Sequence, residues 1–278
     1  MLSTALKISP PIGTTLHRRA LLAAAGSSLL LPACARAAPS DPWLAYERRL
    51  RTQLAQRRGD FDPDFEQDLT DLGDIFRRGR DLSNLAPDAG LTLAARAHAA
   101  DVARTGVFDH MTPEGYGPAA RVGLLARDLI GAPAENIAER LNAIGPVRPD
   151  QIMGQWKTSP GHRANLLAPG FTHVGYGVLR RGAEVIAVGA YAEVSARLAT
   201  PAPLRMVSVD AVGEALALAT PRINQFSVSE PGAEPLIETY LEGPRPQTLP
   251  PGAWQLRPHL STGEHKYQVA WGPVFVLG

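Results

Sequence analysis

A chain of 278 residues is long enough for one ordinary domain with further material beyond it, so two compact units are expected. Its 45% apolar and 20% charged fractions exclude wholesale disorder and a multi-span membrane protein. Lys plus Arg at 28 nearly balances Asp plus Glu at 27, and arginine pairs such as Arg48-Arg49, Arg57-Arg58, Arg77-Arg78 and Arg180-Arg181 are scattered, as on solvated helix faces, which argues against a nucleic-acid partner.

Residues 1–38 read as an export signal. Arg18-Arg19 precede Ala20-Leu21-Leu22 as in a twin-arginine signal, and the apolar run from Ala20 to Leu31 is too short to span a bilayer as a helix. Two endings fit. Ala35-Arg36-Ala37 is a small-residue cleavage site, while Leu31-Pro32-Ala33-Cys34 is built like a lipoprotein box whose cysteine is lipidated; Pro32 is atypical there and favours simple cleavage. Either ending places the mature protein outside the cytoplasm, periplasmic or secreted, with no transmembrane span left in the mature chain. Cys34 is the one cysteine, so neither an intramolecular disulfide nor a thiolate metal cluster can form.

Residues 39–63 follow as an N-terminal helix, opened by Ser40-Asp41-Pro42 and carrying Trp43, Glu47, Leu50 and Leu54 at helical spacing before Gly59 and Pro63 interrupt it. Residues 64–198 then form the main domain. Phe65, Leu69, Leu72 and Phe76 predict a second helix, Gly79 to Gly90 a loop, and Leu91, Ala94, Ala95, His98 and Val102 a third, alanine-rich helix. Glycines and prolines recur at short intervals from 107 to 149, which predicts loop with short helices and no long regular element. Short helices follow at Gln151 to Trp156 and His162 to Leu167, with the Ser159-Pro160 break between them. Phe171 to Leu179 and Glu184 to Val194 make a β-hairpin around Gly182, with Val174, Tyr176 and Val178 on one face. Residues 199–278 are rich in proline between short β-prone runs (225–228, 235–241, 266–271, 274–277) and read as a small β-rich region.

The central loops hold His110, Glu135 and His162, each bordered by glycine or proline. Two imidazoles and a carboxylate, if they converge, can hold a divalent metal such as zinc with a position left for water, or work as a general acid and base; nothing in their spacing requires convergence. Three unrelated loop residues, or a buried Glu-His knot tying loops together, are the alternatives. His98 lies on the apolar stripe of its helix and reads as a packed core histidine. Ser159 reads as a helix cap more than as a nucleophile, and there is no Gly-x-Ser-x-Gly elbow. Gly175-x-Gly177 lies in a strand, which favours close backbone packing over phosphate binding.

Taken in order, Leu93-x4-His98-Ala99-x-Asp101, Phe108-Asp109-His110, Arg121, Glu135-Asn136-Ile137-Ala138, Trp156-x2-Ser159-Pro160-Gly161-His162-Arg163-x-Asn165-Leu166-Leu167 and Phe171-x2-Val174-Gly175-x-Gly177-Val178 resemble the CAP domain (cysteine-rich secretory, antigen 5, pathogenesis-related) as bacteria carry it. The resemblance covers a little under half the chain. It implies an α+β fold, a three-layer α-β-α sandwich around a small antiparallel sheet, with a cleft lined by two histidines and two acids. By motif position His110 is the first histidine, Glu135 the first acid and His162 the second histidine, with His173 as rival. The other acid's position holds Ser159, and Ala134 replaces the usual glycine before Glu-Asn, so the tetrad is incomplete. Asn136 and Asn165 tie loops to backbone groups, and Arg163 pairs with an acid across the cleft.

Ligand-binding residues expected on this basis are His110, Glu135, His162, Ser159 and Asn136, with His110, His162 and Glu135 as the set for a divalent metal such as zinc. The resemblance transfers no single activity. The expected function is an exported, non-enzymatic module that binds a small lipid-like or envelope ligand in the His/Glu cleft. The alternative is a metal-assisted hydrolase acting on envelope peptide or glycan. An envelope partner held through residues 199–278 is a further expectation.

Overall fold

A computed structural model describes residues 41–208, 210–233, 240–241, 249–263 and 266–278. The export signal and Cys34 lie outside the described residues. Among the described residues no helix is long and apolar enough to cross a membrane.

Three helices begin where a carboxylate can accept from their unpaired N–H groups. Asp41 caps α1 (Pro42–Gln56), Asp62 caps α2 (Pro63–Arg78) and Asp88 caps α3 (Ala89–Thr105), accepting from Trp43 N at 2.8 Å, Phe65 N at 3.0 Å and Leu91 N at 2.8 Å. In α1 and α2 proline fills the first turn, where its missing N–H costs nothing. The single helix expected over 39–63 therefore ends at Gln56, and a new one starts at Pro63. Between α2 and α3 the two-residue strand β1 (Ala86–Pro87) pairs in parallel with β3 (His173–Arg181), and α4 (Pro118–Leu125) follows α3.

The segment expected to hold no long element contains β2 (Leu129–Leu141), a 13-residue strand. Its proline is tolerated because the sheet order is β1-β3-β4-β2, which leaves β2 on an edge, where a missing N–H faces away from the ladder. A bulge between Ile130 and Gly131 absorbs the other breaker; a Cβ at Gly131 would lie 2.0 Å from the Glu193 carbonyl oxygen. After α5 (Pro149–Thr158) and α6 (Pro160–Leu167), β3 and β4 (Glu184–Arg197) form the expected hairpin, turning at Gly182 with φ 63°.

This four-stranded sheet is sandwiched between two helical layers. On one face α1, α3 and α4 bury Leu50, Leu91, Ala95 and Leu124 against Ile186, Val188 and Ala190. On the other α2, α5 and α6 bury Phe65, Leu69, Trp156 and Leu166 against Val174, Tyr176, Val178 and Tyr191. Strand alternation assigns neighbours to opposite layers, so Gly175 and Gly177 turn toward α3. A Cβ there would lie 2.1 Å from Thr92 N and 2.2 Å from Arg96 N, so both glycines serve close backbone packing. Arg77 departs from the expected solvated face: it is 2% exposed and donates to the carbonyls of Ser83, Leu166 and Ala168, tying the end of α2 to the end of α6.

Residues 199–278 build a second, six-stranded sheet, from β5 (Arg205–Met206), β6 (Phe226–Ser229), β7 (Tyr240–Leu241), β8 (Gly252–Gly263), β9 (Lys266–Val269) and β10 (Val274–Leu277). Helix α7 (Asp210–Ala217) and the 12-residue β8 are additions to the expected short runs. The apolar core of this part, with Val212, Leu216, Phe226, Leu256 and Phe275, also takes in Ile130 and Ala196 from β2 and β4.

Candidate functional site

Glu135 and Asn136 are successive residues of β2 and so project to opposite faces of the sheet. Glu135 enters the layer of α3 and α4, and its side chain is 4% exposed. Its Oε2 accepts from Arg121 Nη2 at 2.8 Å, and its Oε1 accepts from His110 Nδ1 at 2.9 Å, with His98 Nε2 at 3.5 Å. Arg121, 1% exposed on α4, also donates to the carbonyls of Tyr116 and His110 and so fixes the loop that carries His110. Within that loop Asp109 accepts from Met111 N, and Thr112 N donates to the Tyr116 carbonyl.

Asn136 is fully buried on the other face. Its Nδ2 donates to the His162 carbonyl at 3.0 Å and its Oδ1 accepts from Asn165 Nδ2 at 2.9 Å, while Asn165 also reaches the Glu135 carbonyl. The first turn of α6 is thereby pinned to β2, and His162 is presented next to His110, ring centroids 6.4 Å apart. One strand thus carries both supports. Glu135 orients one imidazole from its layer, and Asn136 holds the backbone of the other.

The electrostatics follow from burial. Burial pushes the Glu135 carboxyl up, but Arg121, His98 and His110 outweigh it and hold it down near 2, a permanent anion. Burial lowers His98 to about 4 and keeps it neutral. His98 Nε2 lies 3.0 Å from the Asp109 carbonyl, so that nitrogen carries the proton. The hydrogen bond to Glu135 raises His110 against the effect of its partial burial, whereas burial and the neighbouring His110 lower His162. With Nδ1 committed to the carboxylate, the half-exposed His110 offers Nε2 to solvent.

The sequence-predicted residues therefore divide. His110, Glu135 and His162 do come together. Asn136 is buried and holds the His162 backbone. Ser159 ends α5 and opens α6 by position, with no side-chain capping bond. His173 starts β3 beside Thr172, under the influence of Arg197 and Asp88. Arg163 lies over the Phe76 ring at 5.5 Å in place of the expected acid. Two members of the cluster were given no role from sequence: His98, read as packing, and Arg121, whose signal was a lone charge inside the apolar helix Pro118–Leu125.

The implied metal can be tested against these donors. His110 Nε2 and the His162 ring are two candidate ligands, but both oxygens of Glu135 are engaged. Among the described residues no group of three or more His, Cys, Asp or Glu is placed to hold an ion. A three-ligand zinc centre built on Glu135 does not fit this arrangement; the carboxylate orients an imidazole instead.

Residues 70–191 match the family model described as CAP, cysteine-rich secretory protein family. A protein of Bacillus subtilis (strain 168), described as uncharacterized protein YkwD, is 31% identical over 118 residues, which is 42% of this chain and 44% of that protein. The chain thus spans less than half the length of this curated relative. Among solved structures, an extracellular protein containing an SCP domain from Bacillus anthracis str. Ames is similar at 26% identity and TM-score 0.41, over 47% of this chain and 41% of that one. An outer surface protein from Borrelia burgdorferi is similar at 18% identity and TM-score 0.42, over 48% of this chain and 94% of that one. The family match over residues 70–191 and the Bacillus subtilis identity support a CAP superfamily domain of the bacterial kind in the central part of this chain.

Proposed function

We propose that this protein works outside the cytoplasm as a non-enzymatic binding module, holding a small envelope-derived ligand against His110 and His162. The observation that carries this reading is the commitment of Glu135. A carboxylate with both oxygens bonded, 4% exposed and held near 2 is shielded from water and too weak a base to take its proton. What faces solvent is a pair of imidazoles: His110, raised and able to donate from Nε2, and His162, lowered and able to accept. Such a pair recognises a group bearing both acceptor and donor oxygens, as a lipid headgroup does. The arginine pair before Ala20 and the short apolar run behind it support the location.

The test is a titration with short-chain phosphatidylglycerol below its micelle concentration, read on the histidine ring proton signals by NMR. The expected result is movement of the His110 and His162 signals, with affinity about thirtyfold weaker in a His110→Ala, His162→Ala variant, the loss of two hydrogen bonds of about 1 kcal/mol each. Retained affinity in that variant removes the reading. The metal-assisted hydrolase requires Glu135 as ligand or base, so zinc titration by calorimetry on both proteins decides it: equal heats remove it.

A further inference from the structure

A cavity among the described residues lies away from the His110 cluster, in the part of the chain beyond the CAP match. It measures about 490 Å³ and opens where the end of β4 meets β8, β9 and the segment after Pro221. That size is within the range of small-ligand clefts. Its wall carries three side-chain amides, Asn224, Gln225 and Gln268, together with the Ser195 hydroxyl and the Arg222 guanidinium. No carboxylate lines it among the described residues, and one arginine is a weak basis for a polyanion. The amides each present a donor and an acceptor side by side. Gln225 keeps its Oε1 without a hydrogen-bond partner among the described residues, an acceptor that a small side-chain rotation would offer to a hydroxyl.

One rim is aromatic. Tyr267, on the edge strand β9, is 49% exposed, and its ring lies 6.3 Å from the ring of His259 at 48°. His259 is itself buried and held to Ser227 Oγ at 3.0 Å, so the tyrosine ring rests on a fixed neighbour. An exposed aromatic face costs hydration unless something covers it, and its negative quadrupole favours the polarised C–H face of a ligand. Amides in pairs for vicinal hydroxyls, next to a flat ring for a C–H face, match the two-sided chemistry of one ligand class. We propose that this cavity binds a neutral saccharide, with Tyr267 stacking on a pyranose ring and the Asn224, Gln225 and Gln268 amides reading its hydroxyls. The site is separate from the His110 cluster, and its presence gives the C-terminal region a binding task of its own.

Calorimetric titration of the signal-free chain with two probes, a β-1,4-linked N-acetylglucosamine trisaccharide and a β-1,4-linked glucose trisaccharide, tests this. At least one is expected to bind in the micromolar to millimolar range. Tyr267→Ala is expected to weaken that binding about tenfold while Tyr267→Phe holds it within about twofold, since the ring and not the hydroxyl does the stacking. Gln268→Ala, a second exposed position, is expected to cost about tenfold through its lost pair of hydrogen bonds. Unchanged thermal melting of each variant keeps the fold out of the reading. Absence of heat with both trisaccharides at millimolar concentration, or equal affinity of the parent and Tyr267→Ala, overturns the proposal.

Discussion

Around Glu135 each side chain's state depends on its neighbours. Arg121 and Glu135 form an ion pair that is closed from water on both sides, and its removal by halves leaves a buried charge without its counter-charge. Arg121→Leu is therefore expected to lower stability by about 3–5 kcal/mol in urea unfolding, far more than a surface arginine change. The pH dependence follows from two groups. Glu135 is near 2 folded against 4.5 ordinarily, so the stability it supplies is complete above 4.5 and is lost as pH falls from there toward 2. His98 is near 4 folded against 6.5, so the unfolded chain binds the extra proton between those values and stability also falls as pH drops from 6.5 to 4. His110 is raised and opposes this, adding stability on protonation that disappears as pH rises. Unfolding free energies measured across pH 7 to 3 are expected to decline steadily, and in His98→Asn the decline from 6.5 to 4 should flatten whatever the starting stability. A slope unchanged by the substitution would show that His98 titrates normally.

At the level of elements, β2 and β3 do the positioning. The close approach of β3 to α3 depends on Gly175 and Gly177, and the atoms their Cβ would meet are backbone, which cannot rotate away. Gly175→Ala should force strand and helix apart and cost at least the about 1–3 kcal/mol typical of overpacking, visible as a fall of several degrees in melting temperature. Asn136→Ala should cost about 1–3 kcal/mol by leaving the His162 carbonyl without its donor, and should weaken ligand binding without removing either imidazole. Those glycines and the hairpin were legible in the sequence, because a strand glycine and a glycine-containing turn between two β-prone runs each have few physical explanations. The start of α1 was legible for the same reason: Asp41 before Pro42 satisfies the first-turn donors. Strand β2 was not. Pro133 and Gly131 signal a loop when read locally, and only the sheet order, which puts them on an edge with a bulge, makes them compatible with pairing. Arg121 was half legible: its position in the helix was plain, but its role depends on a strand residue 14 places away. No periodicity encodes that contact.

For the whole molecule the question is whether residues 199–278 form an appendage or part of the fold that holds the site. Arg127 answers through its partners. Buried to 8% exposure after the end of α4, it donates to the carbonyls of Gly123, Ala202, Pro203 and Val274, so one guanidinium joins the CAP domain to the chain on both sides of the second sheet. Gln255 of β8 donates from Nε2 to the Ala119 carbonyl at 3.2 Å, at the start of the helix that carries Arg121. Gly131 and Trp271 exchange two backbone hydrogen bonds, extending the edge of β2 just before Glu135. Val274 of β10 lies in the same core as Leu124 and Leu129. Cutting the chain after Leu198 would expose this core and leave α4 and β2 without partners, so the site should loosen even though no residue of it is removed. Calorimetric unfolding of the described part is expected to be a single transition, with the truncated chain melting well below it and Arg127→Leu falling between, by about 1.5–3 kcal/mol for the charged hydrogen bonds lost. Two resolved transitions in the intact chain, the higher one unmoved by the truncation, would instead make the second sheet an independent body that the site does not need.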